Sequence, residues 1–262
     1  KKIAEKHDLK IISDTAQAPA AIYNGKYAST YADIGGISLN YHKHIHTGEG
    51  GVLFTNDKNL AQRMHLIRNH AEAAVGGMNV ENLSNMLGYN FRLGEIECAM
   101  GIEQLKKLDN FVATRQYAAE KLTEGLIDLK GLQTPIVNDN STHVYYVYPL
   151  IIDVDLLGVS RRKIMNALRA EGVEGLMEGY ANIHMLPMYQ KKIAYGSNGF
   201  PWKSEICREE VDYSHGICPV AEKLHEKTFM GYEMCLHKLE DDDLDLMIRA
   251  FKKVWNNLSS LT

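Results

Sequence analysis

The chain has 262 residues, 45% of them hydrophobic and 24% charged, and carries a formal net charge of -4. That length can bury one large core or two smaller ones. The mild acidity gives no electrostatic footprint for nucleic acid or for an anionic membrane surface, and no apolar run approaches the ~20 residues that a bilayer-spanning helix requires.

Four cysteines, Cys98, Cys207, Cys218 and Cys235, are widely spaced and form no CxxC pair. This argues against a zinc ribbon and suits a reducing, cytoplasmic setting. The opening residues, KKIAEKHDLKIIS, run a helix straight into a strand with neither an initiator methionine nor a signal peptide. The fold is therefore expected to be entered partway, with an upstream portion ahead of Lys1.

Taken in order, Lys1 to Asp8 reads as the end of a helix, with Ile3 and Ala4 on one face. Leu9 to Ser13 follows as a short apolar strand ending at Asp14. A carboxylate at the C-terminal edge of such a strand lies where open α/β sheets place their ligand chemistry. Taken alone, Asp14 reads as well as a cap and Gln17 as a solvated loop residue. A turn is expected at Asn24-Gly25. Asp33 to Leu39 predicts a strand leading to Lys43, and Gly51 to Thr55 predicts another. Asn56-Asp57 then offers an N-cap for a helix over 59–69, with Leu60, Met64 and Ile67 on its apolar face.

His70 to Asn85 lacks periodicity and is rich in Gly, Asn and Ala, as a long functional loop would be. From about Leu93 the spacing of Ile96, Met100, Leu105, Leu108 and Val112 predicts one long helix that carries the chain between domains. The expected division is 1–125 and 126–262. In the second part, His143 to Asp153 is rich in β-branched and aromatic residues and predicts a strand. Ser160 caps a helix that stops at Gly172. Tyr180 to Trp202 reads as loop. Asp241 to Asp243 begin a final helix whose stripe is Leu244, Met247, Ile248, Phe251 and Trp255, and the acidic start suits the helix dipole.

The chemistry concentrates in SLNYHKHIHTGEGG, Ser38 to Gly51. It sets Lys43 between a strand and a glycine-rich turn. A lysine at the end of a buried strand is partly desolvated, which lowers its pKa and frees the amine as a nucleophile or Schiff-base former. A solvated surface lysine is the plain alternative. His42, His44 and His46 alternate, so in an extended segment all three would point one way and could ligate zinc, as in a metal-dependent hydrolase. Against that, no HExxH occurs and no carboxylate follows at ligand spacing, so no metal site is assigned. TGEGG is not a P-loop, because no Lys-Ser or Lys-Thr follows it.

The ordered set is more specific than any member: DTAQA after a strand, S-x-x-x-x-K-x-x-x-T-G-E-G-G, then TND, RNH, GYNFR and a helix beginning LGEIECAMGIEQLKKLD. This set resembles the DegT/DnrJ/EryC1/StrS family of nucleotide-sugar aminotransferases, at motif level to about Leu122 and more loosely through HVYYVYPLIID and YANIHMLPMYQ. The resemblance implies the aspartate-aminotransferase fold, with a mainly parallel α/β large domain, N-terminally truncated here, and a smaller α+β domain. It also implies pyridoxal 5′-phosphate as cofactor.

By the same resemblance Asp14 faces the pyridine nitrogen, Gln17 lies near the ring hydroxyl, Ser38 holds the phosphate and Lys43 bonds covalently to the cofactor aldehyde. Asn90 reaches the phosphate of a neighbouring subunit's cofactor, so a homodimer is implied, and Arg92 assists with phosphate or carboxylate. His184 and Tyr189 match a looser region near the sugar. The implied reaction moves an amino group from L-glutamate to a keto carbon of a nucleotide-linked sugar, in cell-surface polysaccharide or glycoconjugate synthesis. Members with histidine in place of the lysine dehydrate the sugar instead, and the spacing of Lys43 from Ser38 and Gly48 favours amino transfer. The family's N-terminal part, which supplies a phosphate-binding helix start and a ring-stacking aromatic, is absent from this sequence.

Overall fold

In the computed structural model, which describes residues 1–72, 86–207 and 210–261, the chain divides into two compact units. The first comprises 1–119, 136–146 and 234–238; the second comprises 120–135, 147–233 and 239–262. Two short segments from beyond residue 126 thus belong with the first unit. Val144 shows why, since it is buried in one cluster with Leu39, Ile45, Leu108 and Val112. Most of the expected loop over 70–85 lies outside the described residues.

The first unit opens with helix α1 (Lys2–Lys6) and strand β1 (Ile12–Asp14). A two-residue hairpin, β2 (Ile22–Tyr23) and β3 (Lys26–Tyr27), turns at Asn24 and Gly25. Their φ values of 45° and 75° are the pair of positive angles that a type I′ turn demands. Strand β4 (Ile34–Ser38) pairs in parallel with β1, Asp14 lying opposite Gly36, and antiparallel with β5 (Gly51–Phe54). Helix α2 (Lys58–Arg68) starts where Asp57 accepts hydrogen bonds from the Asn59 and Leu60 amides at 2.8 and 3.2 Å.

The long helix expected from Leu93 is two helices, α3 (Glu95–Leu105) and α4 (Leu108–Leu126). At the junction the Lys107 amide bonds to the Gln104 carbonyl, a three-residue step that tightens the turn. The apolar stripe changes character there: Ile96, Met100 and Leu105 are exposed, whereas Leu108 and Val112 are buried.

The second unit contains a fully antiparallel sheet ordered β6-β7-β9-β8, from β6 (Leu132–Gln133), β7 (Val147–Ile152), β8 (Leu176–Met177) and β9 (Phe229–Glu233). In β7 burial alternates, with Tyr148, Leu150 and Ile152 inside, as a strand with one covered face requires. The central strand β9 has no clear sequence signature, since Gly231 interrupts it and the charged run LHEKT precedes it. Between β7 and β8 lie α5 (Val154–Leu157) and α6 (Arg161–Ala170), the latter capped by the Ser160 hydroxyl. After β8 come α7 (Pro187–Gln190) and α8 (Pro219–Lys223), so 180–202 is not wholly irregular. The last helix, α9 (Asp241–Asn256), has a capping box between Glu240 and Asp243 and packs against α6. Its buried face is Leu244, Met247, Ala250, Phe251 and Val254, rotated slightly from the expected stripe, with Trp255 half-buried.

Phe251 is 1% exposed and stacks on Trp255 at 5.9 Å between ring centroids. Phe251→Ala removes a fully buried ring and should cost about 3–5 kcal/mol. The check is the urea midpoint of unfolding followed by circular dichroism, with the m-value unchanged.

Candidate active site

Parallel pairing of β1 and β4 decides which polar groups share a surface. Asp14 ends β1 opposite Gly36, and Ser38 lies two residues further along β4, so both side chains issue from the same face of the sheet. Asp14 is exposed and accepts from the Ala16 amide at 3.0 Å. Thr15 extends the pairing, donating from its amide and its hydroxyl to the Gly36 carbonyl at 2.9 and 2.7 Å. Gln17 is exposed on the tight turn that follows.

Beyond Ser38 the chain leaves the sheet in a knot of local hydrogen bonds. The Asn40 amide donates to the Ser38 hydroxyl at 3.1 Å, and the Asn40 carboxamide accepts from the His42 amide while donating to Glu49 at 2.7 Å. The Leu39 amide meets the Gly50 carbonyl at 2.9 Å, and the Thr47 amide meets the Leu39 carbonyl at 3.0 Å. Gly50 has φ of 153°, and a Cβ there would come within 3.0 Å of the Thr47 hydroxyl and 3.1 Å of Leu93, so the motif needs glycine at this point. Asn40 organises the loop, and nothing in the residue pattern singles it out.

This loop holds Lys43 half-buried with its Nζ 4.3 Å from the centroid of the Tyr146 ring. Desolvation lowers the pKa of the amine, opposed by the charges of Cys235 and Asp14. Asp14 and Ser38 share one face of the sheet, and Lys43 follows on the loop that leaves β4. The Cys235 thiol is pushed up by burial, with Arg115 beside it working the other way.

The histidine triplet does not point one way, because the segment is a turn and not a strand. His44 is buried at 2% exposure, His42 lies against Tyr41 with ring centroids 3.8 Å apart, and His46 is exposed. Nε2 of His44 lies 2.7 Å from the Val144 carbonyl; a carbonyl only accepts, so Nε2 carries the proton. Burial brings the pKa of this ring down to about 4. Among the described residues no group of three His, Cys, Asp or Glu side chains is placed to hold a metal ion.

The segment that receives His44 is itself unusual. Tyr145 is buried and adopts φ of 51°, a left-handed backbone that costs a non-glycine residue about 1–2 kcal/mol. Its amide donates to Nδ1 of His143 at 2.9 Å, and the His143 carbonyl accepts from Gln116 at 3.0 Å. Sequence reasoning assigns 143–146 to a strand and so misses Tyr146; the adjacent aromatic pair is the only trace it leaves.

Asn90 and Arg92 form a separate cluster in the same unit. Arg92 donates to the side-chain oxygens of Asn90 and Asn69, each at 3.0 Å, and Asn69 and Asn90 share a backbone bridge. Both Asn90 and Arg92 are exposed. His184 and Tyr189 lie in the second unit. Nε2 of His184 is 2.8 Å from the buried Glu222 carboxylate, which also accepts from the Gly216 amide. Tyr189 packs among Trp202 and Tyr213.

Comparison with known proteins matches residues 1–226 to the DegT/DnrJ/EryC1/StrS aminotransferase family. GDP-perosamine synthase of Caulobacter vibrioides is 31% identical over 191 residues, 72% of this chain and 49% of that protein. L-glutamine:scyllo-inosose aminotransferase of Streptomyces griseus is 28% identical over 268 residues, 99% of this chain and 62% of that protein. The crystal structure of an aminotransferase from Psychrobacter cryohalolentis superposes with a TM-score of 0.77 at 27% identity, covering 98% of this chain and 65% of that one. The fold is that of these aminotransferases. The chain spans between 49% and 62% of the length of these curated relatives.

The His44 ring makes the fold acid-sensitive in a defined window. In the unfolded chain the ring binds a proton below about pH 6.5, whereas in the fold it stays neutral down to about 4. The unfolded state therefore binds more protons between those values, so this contribution is whole above pH 6.5 and lost as pH falls toward 4. It amounts to about 3 kcal/mol at most. Urea midpoints across that range should fall more steeply for the parent protein than for His44→Gln.

Proposed function

The chain belongs to the DegT/DnrJ/EryC1/StrS aminotransferase family, and on that premise we propose that its first unit supplies one part of a pyridoxal 5′-phosphate site for amino transfer to a keto carbon of a nucleotide-linked sugar. One juxtaposition carries this: the Lys43 amine, weakened as a cation by desolvation, feels the charge of Asp14, and Ser38 shares a sheet face with Asp14. An amine, an acceptor-only carboxylate and a hydroxyl are the functions that such a cofactor asks of its holder, so the donor set fits.

When bound, the cofactor supplies an electron-withdrawing ring that stabilises negative charge on a substrate carbon. Asp14 would keep the ring nitrogen protonated, Gln17 would hydrogen-bond the ring hydroxyl and Ser38 would bind the phosphate. Lys43 would anchor the cofactor and then work as the base. Its Nζ takes a proton from Cα of the amino donor and in the second half-reaction returns one to the sugar carbon that receives nitrogen, a task that requires a lowered pKa. Asn90, supported by Arg92, would reach the phosphate in a second copy of the chain, making the working form a homodimer with shared sites. His184 and Tyr189 are assigned to the sugar. The amine would come from L-glutamate, and the product would enter cell-surface polysaccharide or glycoconjugate synthesis in the cytoplasm, where the four free thiols remain reduced.

The name of the Caulobacter relative supports a nucleotide-linked product. The name of the Streptomyces griseus relative favours a second reading, with L-glutamine as donor and a cyclitol ketone as acceptor. Paired assays with each donor and each acceptor class separate the two. The presence of Lys43 supports amino transfer over the sugar dehydratase alternative on the same fold.

Borohydride treatment of the full-length protein loaded with pyridoxal phosphate should fix the cofactor on the peptide that contains Lys43, as read by mass spectrometry. Label on another peptide, or none, removes the assignment. Lys43→Ala should abolish the visible cofactor band and lower kcat by about 10²- to 10⁴-fold.

The shared site has its own test. Lys43→Ala and Asn90→Ala proteins, each inactive, are mixed, dissociated and reassociated. Hybrid dimers then hold one intact site, and about a quarter of the parent activity should return. No recovery means that Asn90 does not act across subunits.

A further inference from the structure

We propose that the segment 143–146 is a positioning device for Lys43, in which the kinked backbone at Tyr145 turns the face of the Tyr146 ring onto the lysine amine. The inference rests on the reading of Lys43 as the working amine and adds a residue to it. Every link is within the first unit. The Lys43 Nζ lies 4.3 Å from the Tyr146 centroid, well within the range at which an ammonium is attracted to a ring face.

Three features show that this placement is built. Tyr145 adopts φ of 51°, in a region that bulky residues occupy only when their surroundings force it. The Tyr145 amide is taken by Nδ1 of His143, and the carbonyls of His143 and Val144 are held by Gln116 and His44 at 3.0 and 2.7 Å. The Tyr146 carbonyl accepts from the Met234 amide at 3.3 Å. His44 is the chain neighbour of Lys43, so the loop that carries the amine and the segment that carries the ring are fastened to each other directly beside the contact.

The ring gives the amine a resting direction. An untethered lysine has four rotatable bonds and swings toward any water or anion in reach. A ring face holds the ammonium by a weak, non-covalent attraction and lacks the strong acceptor that would lock the proton on. Asp14, and Cys235 once it ionises in the alkaline range, are the other groups whose charge acts on Lys43, and Arg115, His44 and His143 stand around them. The device differs from a carboxylate partner in one measurable way: phenylalanine can replace tyrosine, because the face of the ring acts and not its hydroxyl.

The test reads Lys43 itself, in full-length protein from which the cofactor has been removed. Competitive labelling with acetic anhydride between about pH 6 and 11, followed by mass spectrometry of the Lys43 peptide, gives the titration midpoint of that one amine. Tyr146→Leu keeps an apolar neighbour but removes the ring face, so the midpoint should fall by about half a unit, raising the reactive fraction at neutral pH two- to fivefold. Tyr146→Phe should restore the parent midpoint. The labelling plateau at high pH reports access, so a change in exposure alone moves the plateau and leaves the midpoint in place.

Tyr145→Gly, which accepts the left-handed backbone without strain, should keep the parent midpoint. Tyr145→Val should lower it as Tyr146→Leu does. An unchanged midpoint in Tyr146→Leu, or a Phe variant that behaves like Leu, overturns the proposal. Borohydride labelling of the same variants after reloading with pyridoxal phosphate keeps the two ideas apart. If Lys43 is labelled while the midpoint is unmoved, the positioning role fails and the tether stands. If Lys43 is never labelled, the reading beneath it fails.

Discussion

A neutral imidazole buried under a main-chain carbonyl determines where the Lys43 amine can go. His44 donates to Val144, 100 residues further along the chain, and that one bond ties the loop after β4 to the segment that carries Tyr146. The ring is buried uncharged there, because desolvation brings its pKa down to about 4. Removing the clasp would leave the Val144 carbonyl unsatisfied and set both segments loose. Lys43 is thus carried by a fastened loop, and its amine lies against the Tyr146 ring.

The parallel pairing of β1 with β4 has a comparable effect on the acidic and hydroxyl groups. Strands in parallel register bring like ends together, so the polar residues that terminate them, Asp14 and Ser38, collect at one edge without any hydrogen bond between them. The amine then joins from the loop beyond. Asp14 opposes the desolvation of Lys43, and the balance leaves the amine less basic than usual while still able to carry a proton.

Where the residues carry strong local signals, sequence and structure agree closely. Asp57 caps α2, Ser160 caps α6 and the acidic start of α9 forms a capping box, all from side chains that satisfy amides one turn away. The Asn24-Gly25 turn falls in place because its backbone angles exclude most other residues. By contrast, α3 and α4 read as one stripe, since periodicity records which residues are apolar and says nothing of what they face. The strand β9 leaves no sequence signal for a related reason: a central strand packed from both sides needs no alternation, and its glycine weakens the propensity signal. The histidine triplet makes a ligand set only on an extended backbone, and the segment is a turn.

What the sequence alone determined is the chemistry available: an ordered set of a carboxylate, a hydroxyl and a lysine at fixed spacing, with glycines where the loop must turn sharply. Those choices are local, because each depends on a residue's own side chain or backbone freedom within a few positions. Only the tertiary structure decided which groups meet. The clasp of His44 on Val144, the loop knot around Asn40 and the Tyr146 ring beneath the amine join positions far apart in the chain or silent in pattern. Such meetings arise from packing and from the need to satisfy buried polar groups, neither of which has a period that a sequence can display.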